Sequence, residues 1–150
     1  MIDRQILFQM ANRLHYQAQL SRPTALTVAW NLNRTQIPEY TKARGVSFDG
    51  RQQILQQLAR RGLRGISARL EREPMNPSDA SAIRVELVHV TSGRICHIGY
   101  LSRERADRVA PLMDAGIQVE ILNLEITGGP GGQHYRNYGL NFAYQVVGVA

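Results

Sequence analysis

A chain of 150 residues, 43% of them hydrophobic and 20% charged, is long enough for one packed domain, or one domain with an extension, without covalent staples. Its formal charge of +6, carried by seventeen arginines and the single Lys42, points toward a polyanionic partner. The lone Cys96 excludes an internal disulfide and any zinc site built from paired thiolates, and no apolar run reaches the ~20 residues of a membrane-spanning helix.

The apolar part of MIDRQILFQM is too short for a secretory signal, so a reducing cytoplasm is the expected compartment. Cys96 is then an inert thiol, and the Asn33-Arg34-Thr35 sequon carries no meaning. Ile2, Ile6, Met10, Leu14 and Ala18 recur every four residues, with Leu7 and Ala11 on the same face and Asp3 at the N-terminal end, which predicts a first helix. Arg22-Pro23-Thr24 ends it, and Ala25, Leu26, Val28, Ala29, Trp30 and Leu32 form a second short helix before the linker-like TQIPEYTKA. Two such helices cannot bury their apolar stripe between themselves. Ile6, Met10, Leu14 and the anchor Trp30 are therefore expected to dock elsewhere, with a partner protein or a second copy of the chain favoured over the chain's own domain. Residues 1–41 are set apart as this helical extension, and residues 42–150 as the main domain.

The main domain reads as short strands interrupted by two helices. Residues 45–48 form a first strand ended by Asp49-Gly50. Arg51–Arg61 is a helix with Ile54, Leu55 and Leu58 inward and Gly62 as its C-terminal cap, and residues 63–70 are a second strand. In residues 72–80 Pro74 and Pro77 restrict the backbone while Asn76, Ser78 and Asp79 bond it locally, a rigid polar corner. Ile83, Val85 and Leu87 alternate with Arg84 and Glu86, and Ile95, Ile98 and Leu101 follow a Ser92-Gly93 turn, which makes a hairpin. Ser102 caps a helix over residues 102–115. Residues 117–126 are a long strand with a bulge at Leu122-Asn123, and residues 138–147 are the last strand. Such a series closes most economically as a small barrel with few free edges.

Between the last two strands, TGGPGGQHYRN at 127–137 reads as a flexible loop. It lacks the Lys-Ser end and the strand-helix setting of a phosphate loop. His134, Tyr135 and Arg136 there have the chemistry to clamp a nucleic-acid strand by stacking and charge. The arginines cluster at 60, 61, 64, 69 and 72 and again at 103, 105 and 108, where guanidinium groups suit phosphate contact. His15, His89, His97 and His134 lack metal-ligand spacing, and no nucleophile stands beside a base; Asp79 is explained as a turn-former. No metal, cofactor or enzymatic activity is expected.

The ordered segments RGVSFDGRQ (44–52), REPMNPSDASAIRV (72–85), IGYLSRERA (98–106), APLMDAG (110–116) and GLNFAYQVV (139–147) together resemble the HIRAN domain. That module stands at the front of some Swi/Snf-type DNA translocases and alone in bacterial proteins. The resemblance implies an OB-like small β-barrel carrying two helices that binds single-stranded DNA, above all a free 3′ end. Carried over by position, Phe48 is the aromatic that stacks on the terminal bases, and Asn76 and Asp79 hold the end nucleotide and its 3′ hydroxyl. Tyr100 lines the same pocket and Arg103 contacts phosphate; Arg72, from the arginine cluster and not from the resemblance, is added as a DNA-binding candidate at the corner. Two departures are visible: Ser78 stands where DNA-binding members commonly carry tyrosine, and Ser47 stands at a position open to arginine. The implied role is a non-enzymatic module that recognises DNA 3′ ends and recruits or serves a DNA-processing complex, as in repair. The alternative is a protein-interaction adaptor whose barrel no longer binds DNA.

Overall fold

The computed structural model describes residues 4–17, 19–34, 38–131 and 134–149, without the side chains of residues 31–34, 131, 134, 135, 148 and 149. The roles expected of Ile2, Asp3, Ala18 and the Leu32, His134 and Tyr135 side chains lie outside the described residues.

Among the described residues six strands form two antiparallel three-stranded sheets. One has the order β1 (Glu39–Lys42), β6 (His134–Val149), β5 (Ile117–Gly131); the other runs β2 (Ile66–Arg72), β3 (Ile83–His89), β4 (Ile95–Tyr100). The sheets share one core in which Phe142, Leu140, Ile83, Val85, Ile98 and Leu55 are fully buried. At one seam the Arg44 N–H donates to the Tyr100 carbonyl at 2.7 Å and the Tyr100 N–H donates to the Arg44 carbonyl at 2.9 Å. At the other seam β2 runs beside β5. Only glycine fits the first seam, because a Cβ on Gly99 would stand 2.5 Å from the Arg44 carbonyl oxygen. The expected architecture, mainly β with helices, holds in this form: two sheets wrapped on one core, α3 (Arg51–Arg61) and α4 (Arg103–Asp114) against it, and an N-terminal helical pair.

Local signals held where the partner is local. The Gly62 N–H donates to the Leu58 carbonyl at 2.8 Å, the Ser102 side chain accepts from the Arg105 N–H, and β5 is irregular between Leu122 and Glu125 with Asn123 at φ 54°. Several expectations are corrected. The first strand is not residues 45–48 but Glu39–Lys42, which pairs with β6 from Glu39↔Tyr144 to Lys42↔Asn141 and straddles the 41/42 boundary. Residues 45–50 form a turn because Gly45, Asp49 and Gly50 all take left-handed φ. Gly62 and Gly65, also left-handed, delay β2 to Ile66. The glycine-rich stretch is a paired arm rather than an open loop, with Gly129↔Arg136 and Pro130↔Tyr135 in register. Gly128 and Gly129 supply the bulge at its root, packed on the Asn137 carbonyl and the Tyr138 ring, where no Cβ has room.

A further correction concerns the N-terminal helices α1 (Arg4–Tyr16) and α2 (Arg22–Arg34). Leu7, Met10 and Leu14 are buried with Ala25 and Ala29 of α2 against Leu112, Ala115 and Ile117 of the chain's own domain, not reserved for another chain. The small residues Ala11, Ala25 and Ala29 let the elements approach closely, and the apolar end of α4 needs the cover. Trp30, 44% exposed, and Ile6, 37% exposed, do not anchor this contact. Pro23 opens α2 rather than ending α1, since proline suits the first turn and Ser21 Oγ accepts from the Thr24 N–H at 3.3 Å. No described helix is long and apolar enough to cross a membrane.

Candidate nucleic-acid interface

The polar corner between β2 and β3 is built from its own side chains. Asn76 Oδ1 accepts from the backbone N–H groups of Ser78 at 2.9 Å and Asp79 at 3.1 Å, and Asp79 Oδ1 accepts from the Ser81 N–H at 2.9 Å. These are the local bonds that Asn and Asp favour in turns. Glu73 joins the corner to β4: its Oε1 accepts from Asn76 Nδ2 at 3.3 Å and its Oε2 from the Tyr100 hydroxyl at 2.9 Å. Arg103 approaches from the start of α4, donating to the Ser78 carbonyl at 3.0 Å while its Nε stands 3.6 Å from Asp79 Oδ2. Arg72 clamps the corner from the other side, donating to the Ala80 and Ala82 carbonyls and to both oxygens of Asp114. Its guanidinium is thus occupied within the fold.

Phe48 projects from the 45–50 turn and is 63% exposed. Beneath the turn, Arg51, buried at the start of α3, donates to the Gly45 carbonyl at 2.6 Å and to His97 Nδ1 at 3.4 Å, and lies 5.8 Å over the Tyr100 ring. His97 Nε2 bonds the Gly99 carbonyl at 2.9 Å, so it must carry the proton and leave Nδ1 to accept from Arg51. This is the neutral ring, and burial first, then the charges of Arg51 and Arg84, lower the His97 pKa in the same sense. The His97 and Tyr100 rings meet edge to face at 4.7 Å. Burial, followed by the bond to Glu73, raises the Tyr100 pKa, so its hydroxyl stays a donor.

One connected network therefore joins Tyr100, Asn76, Asp79 and Arg103, and Arg51 ties Phe48's turn to it. Gln52 fastens the glycine-rich arm to the same turn: its Nε2 donates to the Val46 and Tyr138 carbonyls at 3.0 and 2.8 Å, and its Oε1 accepts from the Tyr138 N–H at 2.8 Å. Arg136 is exposed on that arm. Sequence reading missed Arg51, Glu73 and His97. Arg51 follows the Asp49-Gly50 turn at a helix start, a position from which a long side chain folds back over the turn, but Glu73 and His97 gain their partners only through the tertiary fold. Among the described residues no three of His, Cys, Asp or Glu gather as a metal site.

The surface thus offers an exposed aromatic ring, a carboxylate whose second oxygen meets only the Arg103 guanidinium at 3.6 Å, and that guanidinium at the rim, the equipment for stacking on a base and meeting its sugar-phosphate. No curated protein and no solved structure matches the chain significantly. The family model of the HIRAN domain matches residues 40–123, a span that contains Phe48, Arg51, Glu73, Asn76, Asp79, Tyr100 and Arg103 but not the glycine-rich arm, and the match supports DNA binding.

Proposed function

The chain belongs to the HIRAN domain family, and from that premise we propose that it is a non-enzymatic module that captures the free 3′ end of single-stranded DNA and presents it to a DNA-processing complex. The observation that carries this reading is the exposed Phe48 ring on a turn tied by Arg51 to the Tyr100–Glu73–Asn76–Asp79 corner. A large ring left in solvent gains by stacking on a base, and stacking tolerates any sequence.

Asp79 supplies the discrimination. Its Oδ1 is used by the Ser81 N–H, while Oδ2, 3.6 Å from Arg103, is free to accept from a sugar hydroxyl. The same carboxylate repels a phosphate in that place, so a strand end is preferred to a continuing strand. Arg103, whose side chain is 70% exposed, meets the preceding phosphodiester in this reading. Ser78 takes part through its backbone alone, its N–H to Asn76 and its carbonyl to Arg103, so the corner keeps its bonds without a tyrosine there.

The test is fluorescence anisotropy at fixed salt with one oligonucleotide sequence carrying either a 3′ hydroxyl or a 3′ phosphate. Tighter binding of the hydroxyl form is expected, with affinity falling steeply as salt rises. Equal affinities remove end recognition and leave general strand binding in place.

A further inference from the structure

We infer that β1 and the cleft beside it form a second nucleotide subsite, in which a base lying 5′ of the captured end stacks on Tyr40 while its phosphates follow Lys42 and Arg44. The inference rests on the reading of the end site given above.

Tyr40, Lys42 and Arg44 alternate on the solvent side of one extended run, and Tyr40 is 65% exposed. At ~3.3 Å per residue the run from Tyr40 to Arg44 covers about 13 Å. It begins where the end site stops, because Arg44 is locked to Tyr100 by the paired backbone bonds of the seam. Neither Lys42 nor Arg44 has an ion-pair partner among the described residues, whereas Arg105 nearby is held by Glu39 and the Tyr144 hydroxyl.

The cleft beside this run has a volume of about 600 Å³, and Tyr40, Lys42, Arg44, Asn123, Glu125 and Asn141 are among its walls. Lys42, Asn141 and Glu125 form one cross-strand row. Asn123, held in the left-handed region by the β5 bulge, donates its amide to the Tyr40 hydroxyl at 3.3 Å and so fixes one edge of the ring. Charge decides what enters. Glu104 and Glu125 line the cleft together with Lys42, Arg44 and Arg105, and Arg105 is already paired with Glu39, so the two free cations face two carboxylates and the interior is a poor place for a phosphate. A base suits it, with a ring to stack on and amide and carboxylate groups at its edges. The two unpaired cations on the outer strand are left for the backbone.

The test is competition binding with unlabelled oligonucleotides of two, four, six and eight residues, each with a free 3′ hydroxyl, on the full chain. Wild-type affinity is expected to rise roughly tenfold or more between two and six residues. Tyr40→Ala abolishes that gain and leaves dinucleotide affinity unchanged, Tyr40→Phe keeps the gain, and Lys42→Ser with Arg44→Ser flattens the salt dependence of the longer strands only. A wild-type affinity that does not grow with length, or a Tyr40→Ala protein that gains as wild type does, overturns the subsite while the end site stands. Failure to bind at any length overturns both.

Discussion

Two regions of the molecule are held by opposite means. Where the N-terminal helices meet the end of α4, cohesion is apolar: Leu7, Met10, Leu14, Leu112 and Ile117 are buried with alanines between them. At the polar corner, cohesion is a web of side-chain bonds through Asn76, Glu73, Asp79 and Arg51, and the largest apolar group present, Phe48, stays in water. Burial adds stability in proportion to area, whereas a bonded corner adds little net stability but fixes positions. The first region therefore adds stability, and the second fixes the positions that the proposed site needs.

The comparison breaks most visibly at Leu14, which has no exposed surface. Leu14→Ala is expected to lower unfolding free energy by about 2–5 kcal/mol in urea titration while the folded protein keeps its affinity for single-stranded DNA. A parallel loss of affinity would show that the helices shape the site after all. Gly99→Ala should cost about 1–3 kcal/mol, because the added methyl must displace the Arg44 backbone, and here affinity is expected to fall with stability since Tyr100 and Arg44 move together.

The same contrast explains what was legible in the sequence. Features whose partners lie within a few residues were readable: the Gly62 and Ser102 caps, the Asn76-Asp79 turn bonds, the β3–β4 hairpin and the bulge at Asn123. Features completed by distant residues were not. EYTK has no strand signature and becomes β1 only because β6 supplies its ladder more than ninety residues later. The docking of α1 depends on Leu112, Ala115 and Ile117, which no property of residues 1–34 reveals. Arg51 reads as one more polar residue of a helix face until the turn carbonyl and His97 are placed around it. The family resemblance pointed to the corner and to Phe48 as candidates but carried no information about the Glu73 bridge.

At Phe48 the expected effect is smaller in stability and confined to binding. Phe48→Ala should remove about 1–3 kcal/mol of affinity for single-stranded DNA with a melting temperature close to wild type, because the ring is mostly in solvent. Tyr100→Ala makes the control, since it also loses the hydroxyl bond to Glu73 and the contact with His97, so stability and affinity should fall together. If Phe48→Ala lowers affinity only as far as it lowers the folded fraction, the ring belongs to the fold and the stacking assignment fails.

The smallest expected effect is one of pH and tests whether the corner is held by a neutral His97. In the folded chain its pKa is lowered, by burial first and then by Arg51 and Arg84, whereas in the unfolded chain it returns to about 6.5. Above that value both states carry the neutral ring, and His97 contributes no pH dependence. As pH falls below it, the unfolded chain binds a proton that the folded chain refuses, so stability declines until the lowered folded pKa is passed. His97→Gln removes the titration while keeping a donor for the Gly99 carbonyl and an acceptor for Arg51. Unfolding free energies measured from pH 7.5 to 5 are therefore expected to fall more steeply for wild type than for His97→Gln. Parallel curves would mean that His97 accepts its proton as readily in the fold as outside it, and that the bonds from Arg51 and to the Gly99 carbonyl do not select the neutral ring.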